Sequence, residues 1–261
     1  IKMDKGGNKR GQVTIFIIIA VIIVALVFLV YSFYPQIQTS LGFGEKTPQS
    51  YIQACIEDNI KNAAINLSLQ GGSLAPENYI LYDDSKVEYL CYTTEYYKTC
   101  IVQQPMLKNH IESEINNEIK EEVATCFNSL EESYRNKGYD VNLKRGATTI
   151  ELLPQKIVST FNYSLSLTKS GNAETYDSFR IVLNNNLYEL IGIADSILEW
   201  EATYGDAETT VYMDYYHNLK VEKQKQLDGA TVYVITDRNT GNKFQFASRS
   251  VAWPAGYGMG K

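Results

Sequence analysis

Lys9–Pro35 reads KRGQVTIFIIIAVIIVALVFLVYSFYP: two bases and a glycine run into an apolar block, with one glutamine at the seam. From Val13 to Phe33 there are 21 residues, of which only Thr14 and Ser32 are polar, with no charge, proline or glycine among them. As a helix this block spans about 31 Å, the thickness of a bilayer core. A secretory h-region is shorter, ~7–15 residues, and ends at a small-residue cleavage site that YSFYPQIQTS does not offer. A buried core helix would keep a polar face. The block therefore predicts a membrane-inserting helix.

Its flanks set the orientation. Lys9 and Arg10 stand directly before the helix, and the first base after it is Lys46. Positive charge stays cytoplasmic, so everything from Tyr34 onward is expected outside. Tyr31, Phe33 and Tyr34 suit the outer aromatic belt.

The chain of 261 residues is 44% hydrophobic and 21% charged, which excludes both a disordered chain and a polytopic membrane protein. Residues 1–11 hold four bases against Asp4, whereas the chain from Tyr34 onward holds 20 bases and 29 acids. An acidic body has no sizeable basic surface with which to neutralise phosphates, so a nucleic-acid partner is not expected. Ile1 in place of Met, and the ending PAGYGMGK, leave open that the sequence is a piece of a longer chain.

The seam KRGQ followed by an uninterrupted apolar helix resembles the class III signal peptides of archaeal type IV pilin-like proteins. The resemblance covers about 25 residues. It implies that a prepilin peptidase cuts between Gly11 and Gln12, on the cytoplasmic side of the helix. The retained helix would then pack into a filament core. Phe16 stands at the fifth mature position, where many bacterial pilins carry glutamate. Pro35, Gly42, Gly44 and Pro48 interrupt the following stretch, and both residue types break helices. A filament needs each head held rigidly over its stem, so the break favours a tether.

Past the linker, Thr47 and Pro48 suit an N-cap and first helical position. Ile52, Ile56, Ile60, Ala63 and Leu67 recur at helical spacing as far as Gly71-Gly72. A tyrosine-rich extended stretch, Tyr79–Val102, follows. A second, longer helix is expected from near Pro105, with Leu107, Ile111, Ile115, Ile119, Val123, Phe127, Leu130 and Tyr134 on one stripe and Gly138 as its cap. Glu112, Glu114, Glu118, Glu121 and Glu122 read as its solvated face.

After Gly138 the period becomes two. Tyr139, Val141 and Leu143 alternate with polar residues, KRGA turns the chain into Thr148–Leu152, and Ile157–Thr168 with Tyr176–Leu183 form a hairpin across KSGNAE. Asn186 and Glu189 form an Asn-x-x-Glu cap on a helix carrying Leu187, Leu190, Ile191, Ala194, Ile197 and Leu198. Val211–Tyr216, Leu219–Lys223, Thr231–Thr236 and Lys243–Ser248 read as strands. The expected fold is α+β: a single N-terminal transmembrane helix, then an extracytoplasmic body with a helical pair and a mainly antiparallel sheet packed with one helix. Its parts are a basic leader (1–11), the transmembrane or pilin-like helix (12–33), a linker (34–48), a helical, cysteine-containing subdomain (49–138) and a β-rich α+β subdomain (139–261).

Cys55, Cys91, Cys100 and Cys126 all fall on the outer side, an even count in an oxidising setting. Three pairings are open. The favoured one is Cys91–Cys100, around YTTEYYKT, with Cys55–Cys126, which antiparallel helix packing would bring together. Zinc ligation is disfavoured because no C-x2-C occurs; buried free thiols are the remaining reading. Asn66 (NLS) and Asn162 (NYS) match the glycosylation sequon. Twenty tyrosines suit protein or glycan contact surfaces and also strand-rich bodies.

No catalytic signature emerges. His110 and His217 lack H-E-x-x-H spacing, G-x-S-x-G is missing, and GYGMGK does not complete a phosphate-binding loop. Asp83-Asp84 and Glu131-Glu132 are ordinary in an acidic chain. No metal or cofactor is expected. The sequence reads as a membrane-anchored surface protein, structural or adhesive rather than enzymatic, whose partners are the bilayer and either its own copies or other surface proteins and glycans. A processed pilin-like filament subunit is the alternative, and an extracytoplasmic hydrolase a more distant one.

Overall fold

The computed structural model describes residues 47–252, together with Ile19, Ile23 and Val24. Lys9, Arg10, Gly11, Gln12 and the remainder of the Val13–Phe33 block therefore lie outside the described residues. Among the described residues no helix is long and apolar enough to cross a membrane.

Residues 48–252 form one compact α+β unit. Helix α1 (Pro48–Gln70) buries Ile52, Ile56, Ile60, Ala63, Ala64 and Leu67, the stripe legible from their spacing. It stops at Gly71 and Gly72, whose φ of +83° and +102° only glycine adopts without strain. Strands β1 (Tyr79–Tyr82), β2 (Ser85–Tyr92) and β3 (Ile101–Val102) occupy the tyrosine-rich stretch.

The long second helix is in fact two. Helices α2 (Leu107–Glu118) and α3 (Lys120–Asn136) are divided at Ile119, whose ψ of −4° departs from the helical value. Backbone hydrogen bonds continue on both sides of it, from Ile119 N to Ile115 O and from Val123 N to Ile119 O. The apolar stripe is therefore continuous, with Ile119 itself buried.

Beyond Gly138 come β4 (Asp140–Lys144), β5 (Thr148–Leu153), β6 (Lys156–Phe161), β7 (Ser164–Lys169), β8 (Asn172–Tyr176) and β9 (Phe179–Asn184). Ile157–Thr168 is not one strand. It breaks at Asn162, whose N–H turns to Ala147 O at 3.0 Å, and β6 and β7 then enter different sheets. Gly146 makes the crossing possible: a Cβ there would stand 2.1 Å from Asn162 O. The hairpin through Ser170-Gly171 joins β7 to β8.

Helix α4 (Leu187–Tyr204) and the short helix α5 (Thr210–Tyr215) follow, then β10 (Leu219–Lys225), β11 (Ala230–Asp237) and β12 (Lys243–Arg249). The strand expected over Val211–Tyr216 is thus corrected to a helix. Glu208 Oε1 gathers both the N–H and the hydroxyl of Thr210, at 3.0 and 2.7 Å, and so closes the first turn despite the β-branched residues there.

One sheet runs β1-β2-β12-β11-β10, with β3 also on β2; two three-stranded sheets run β4-β7-β8 and β5-β6-β9. All pairs are antiparallel except β2 with β12. That parallel pair ties the chain before Gly138 to its far end. A single apolar core runs through α1, α2, α3, α4 and the inner faces of the sheets, so segments on both sides of Gly138 share it. Phe127 of α3 is its aromatic hub, with ring centroids 4.4 Å from Tyr163 and 5.0 Å from Phe179. A smaller cluster of Val87, Tyr89, Ala230, Val232, Val234 and Ala247 forms separately on the large sheet.

Candidate functional site

Disulfides join Cys55 to Cys126, with Cα atoms 6.0 Å apart, and Cys91 to Cys100, 5.3 Å apart. The first pins α1 to α3; the second closes the loop that carries exposed Tyr96 and Tyr97. No cysteine is left free, so none offers a thiolate to a metal. Among the described residues no group of three or more metal-ligating side chains gathers. Asn66 is exposed on α1 and Asn162 is exposed between β6 and β7, so both sequons are reachable from solvent.

The acids read as one solvated face divide. Glu118, Glu121 and Glu122 are exposed, whereas Glu112 and Glu114 turn inward. Glu112 Oε1 accepts from Leu152 N at 2.7 Å and pairs with Lys108; Glu114 Oε2 accepts from Leu74 N at 3.1 Å. They staple α2 to neighbouring backbone. Asp83 and Asp84 form the β1–β2 turn with φ of +45° and +61°, Glu131 pairs with Arg135, and Glu132 and His217 are exposed.

His110 is not a bystander. Its Nε2 lies 2.9 Å from Ser73 Oγ, which donates to Glu88 Oε2 at 2.5 Å. A serine hydroxyl has one proton to give. With that proton directed to Glu88, the imidazole N–H donates to Ser73, and the chain of bonds runs His110 to Ser73 to Glu88. Burial holds the Glu88 carboxyl above its ordinary range, against the pull of the Ser73 bond and the His110 charge. Activating a nucleophile needs the reverse arrangement, with the imidazole accepting the hydroxyl proton. Ser73 is also only 7% exposed. The trio ties the end of α1 to β2 and α2.

Among the described residues, polar groups converge on a cleft of about 540 Å³. Its walls are the first half of α4, helix α5, the start of β10, the end of β11 and the β5–β6 turn. Asn186 does precede α4, but its side chain makes no capping bond; Asn185 Oδ1 takes Leu187 N instead. Asn186 Nδ2 donates to Asp237 Oδ2 at 2.6 Å, and Asn186 Oδ1 accepts from Asn242 Nδ2 at 2.6 Å. Glu189 does not reach back to the cap either. Its Oε1 accepts from both N and Nε2 of Gln155 at 2.9 Å, while its Oε2 is shut from solvent and has no donor.

Across the cleft, Tyr212 OH meets Ser196 Oγ at 2.8 Å, and Tyr216 stands 47% exposed at the rim. Leu190, Ile193 and Leu219 supply apolar surface, and Gly192 leaves α4 bare. The wall carries amides, hydroxyls, two carboxylates and two phenol rings, and no basic side chain. It suits recognition of an uncharged polar ligand. The spacing of Asn186 and Glu189 predicts a helix cap, whereas Gly192, an unforced glycine inside the helix, is the feature of the sequence that points to the cleft. Compared with known proteins, the chain matches no family model, no curated protein and no solved structure at a significant level.

Proposed function

We propose that this chain is a membrane-anchored surface protein whose body, displayed outside the cell, acts by binding rather than catalysis, in a structural or adhesive role. The observation that carries the reading is the 21-residue uncharged block Val13–Phe33 behind Lys9 and Arg10. Two closed disulfides support it, because cystine bridges persist in oxidising compartments. Exposed Tyr96, Tyr97, Trp200, Tyr204 and Tyr215 supply rigid amphipathic contact area for protein or glycan partners. Impermeant biotinylation of intact cells tests it: lysines of the body label and those of the leader do not. Labelling that requires cell lysis overturns the outward topology.

A second reading rests on the KRGQ seam. Cut between Gly11 and Gln12, the same helix becomes an assembly surface and the protein a pilin-like filament subunit. Mass spectrometry of the native N-terminus separates the two. A chain beginning at Gln12 supports the subunit, and an intact leader removes it.

A further inference from the structure

Gly192 sits inside α4, where glycine costs a helix ~1 kcal/mol relative to alanine. Nothing local asks for it. A Cβ at Gly192 would meet no atom within 4 Å, and its backbone is not in the left-handed region. It is exposed at the wall of the cleft, where a side chain would enter open space. The helix is weaker for keeping that space empty.

We propose that this cleft is a saccharide-binding site. A pyranose presents apolar C–H faces and, around its rim, hydroxyls that both donate and accept. Tyr216, half exposed at the rim, offers ring surface for the former, backed by Leu190, Ile193 and Leu219. Ser196, Asn218, Gln155 and the two phenol hydroxyls offer mixed donors and acceptors for the latter. Glu189 Oε2 lacks a donor, and a sugar hydroxyl entering beside it, with a small turn of the carboxyl about its soft terminal torsion, supplies one. A volume of about 540 Å³ falls among small-molecule sites.

The charges narrow the class. With two carboxylates and no base in the wall, an anionic ligand is repelled. A cation finds one open carboxylate oxygen, Glu189 Oε2, and no second beside it: both Asp237 oxygens already have donors, Asn186 Nδ2 and Asn239 N, and Glu189 Oε1 is held by Gln155. What remains is matched by neutral hydroxyls. This inference gives the adhesive reading its ligand class and rests on that reading only for where the ligand is met.

The test is calorimetry on the full-length protein in a detergent without a sugar headgroup. The probes are glucose, galactose, mannose, N-acetylglucosamine and their disaccharides, with putrescine as the cationic arm. At least one saccharide is expected to bind saturably with a millimolar or tighter Kd. Gly192→Leu should abolish that binding while the melting temperature holds or rises, because leucine fills the cleft and favours the helix. Tyr216→Ala and Glu189→Gln should each weaken it by roughly tenfold. Absence of saccharide binding, binding of putrescine in its place, or undiminished saccharide binding by Gly192→Leu overturns the proposal. Topology is read separately by cell-surface biotinylation. Saccharide binding by a body found inside the cell would sink the display reading and leave the site; a displayed body without saccharide binding does the opposite.

Discussion

Tyr233, in the middle of β11, donates its phenolic hydrogen to Glu201 Oε1 in the last turn of α4. Glu201 is 2% exposed, and its carboxylate is fully used: Oε1 also accepts from Ala207 N at 3.0 Å and Oε2 from Ser248 Oγ at 2.9 Å. A charge taken out of water persists only when its lone pairs are met in this way. The bonds fix α4 against two neighbouring central strands, β11 and β12.

Glu201→Ala strands the Tyr233 and Ser248 hydroxyls and the Ala207 N–H, each costing ~1–3 kcal/mol when buried and unpaired. The variant is expected to lose roughly 3 kcal/mol or more in urea unfolding. Tyr233→Phe removes one donor and should lose ~1–2 kcal/mol. A Glu201→Ala variant as stable as the parent would show that the carboxylate is dispensable.

The two disulfides should differ in worth. Cys55–Cys126 closes 71 residues and Cys91–Cys100 only 9. Chain-entropy scaling gives ~4.4 kcal/mol for the first and ~2.6 kcal/mol for the second at 25 °C. Paired cysteine-to-serine variants, compared by denaturant midpoint, should rank in that order. The reverse ranking would place the stabilisation in native-state packing rather than in the unfolded chain.

Two glycines should respond oppositely to a single methyl. Gly146→Ala drives a Cβ into the Asn162 carbonyl at the β6–β7 crossing and is expected to cost roughly 2–4 kcal/mol. Gly192→Ala meets open space and should gain ~0.8–1 kcal/mol. Thermal melts of both variants decide it, and destabilisation by Gly192→Ala would mean that α4 is tighter than its geometry indicates.

Burial pushes the Tyr89 hydroxyl up to about 12, with the Asp228 charge adding to it, and holds Tyr233 well above its ordinary range. Each raised pKa means that the fold prefers the neutral phenol. That preference is complete below the unfolded value of 10 and is lost as pH climbs through about 12 at Tyr89. Phenolate absorbance should therefore show these rings ionising only as the protein unfolds. Glu88 follows the same sign at lower pH: its raised pKa favours the fold below the unfolded value of 4.5 and penalises it once pH passes the folded value. The stability of Glu88→Gln relative to the parent should accordingly grow from about pH 4 to about pH 7. A difference that shrinks over that range would mean that charge attraction from His110 outweighs burial.

Much of the architecture was readable along the chain because it depends on local period and turn chemistry. The stripe from Ile52 to Leu67, the stop at Gly71-Gly72 and the run from Leu107 to Tyr134 follow from which residues share a helix face. Strands β10, β11 and β12 follow from short runs of strand-forming residues bounded by turns. The choice of α+β class required no more than this.

Tertiary structure alone decided what depends on distant chain. The parallel pairing of β2 with β12 joins residues such as Tyr89 and Ala247, and no local pattern encodes a partner that far along the sequence. Val211–Tyr216 carries strand-like residues, yet the segment is helical, with Tyr212 buried and its hydroxyl 2.8 Å from Ser196 Oγ of α4. Asn186 and Glu189 have the spacing of a cap, but Asp237, Asn242 and Gln155 offer their side chains better-placed partners. Spacing specifies which groups are able to meet along one element; which of them do meet is set by the hydrogen-bond partners that the rest of the fold brings within about 3 Å.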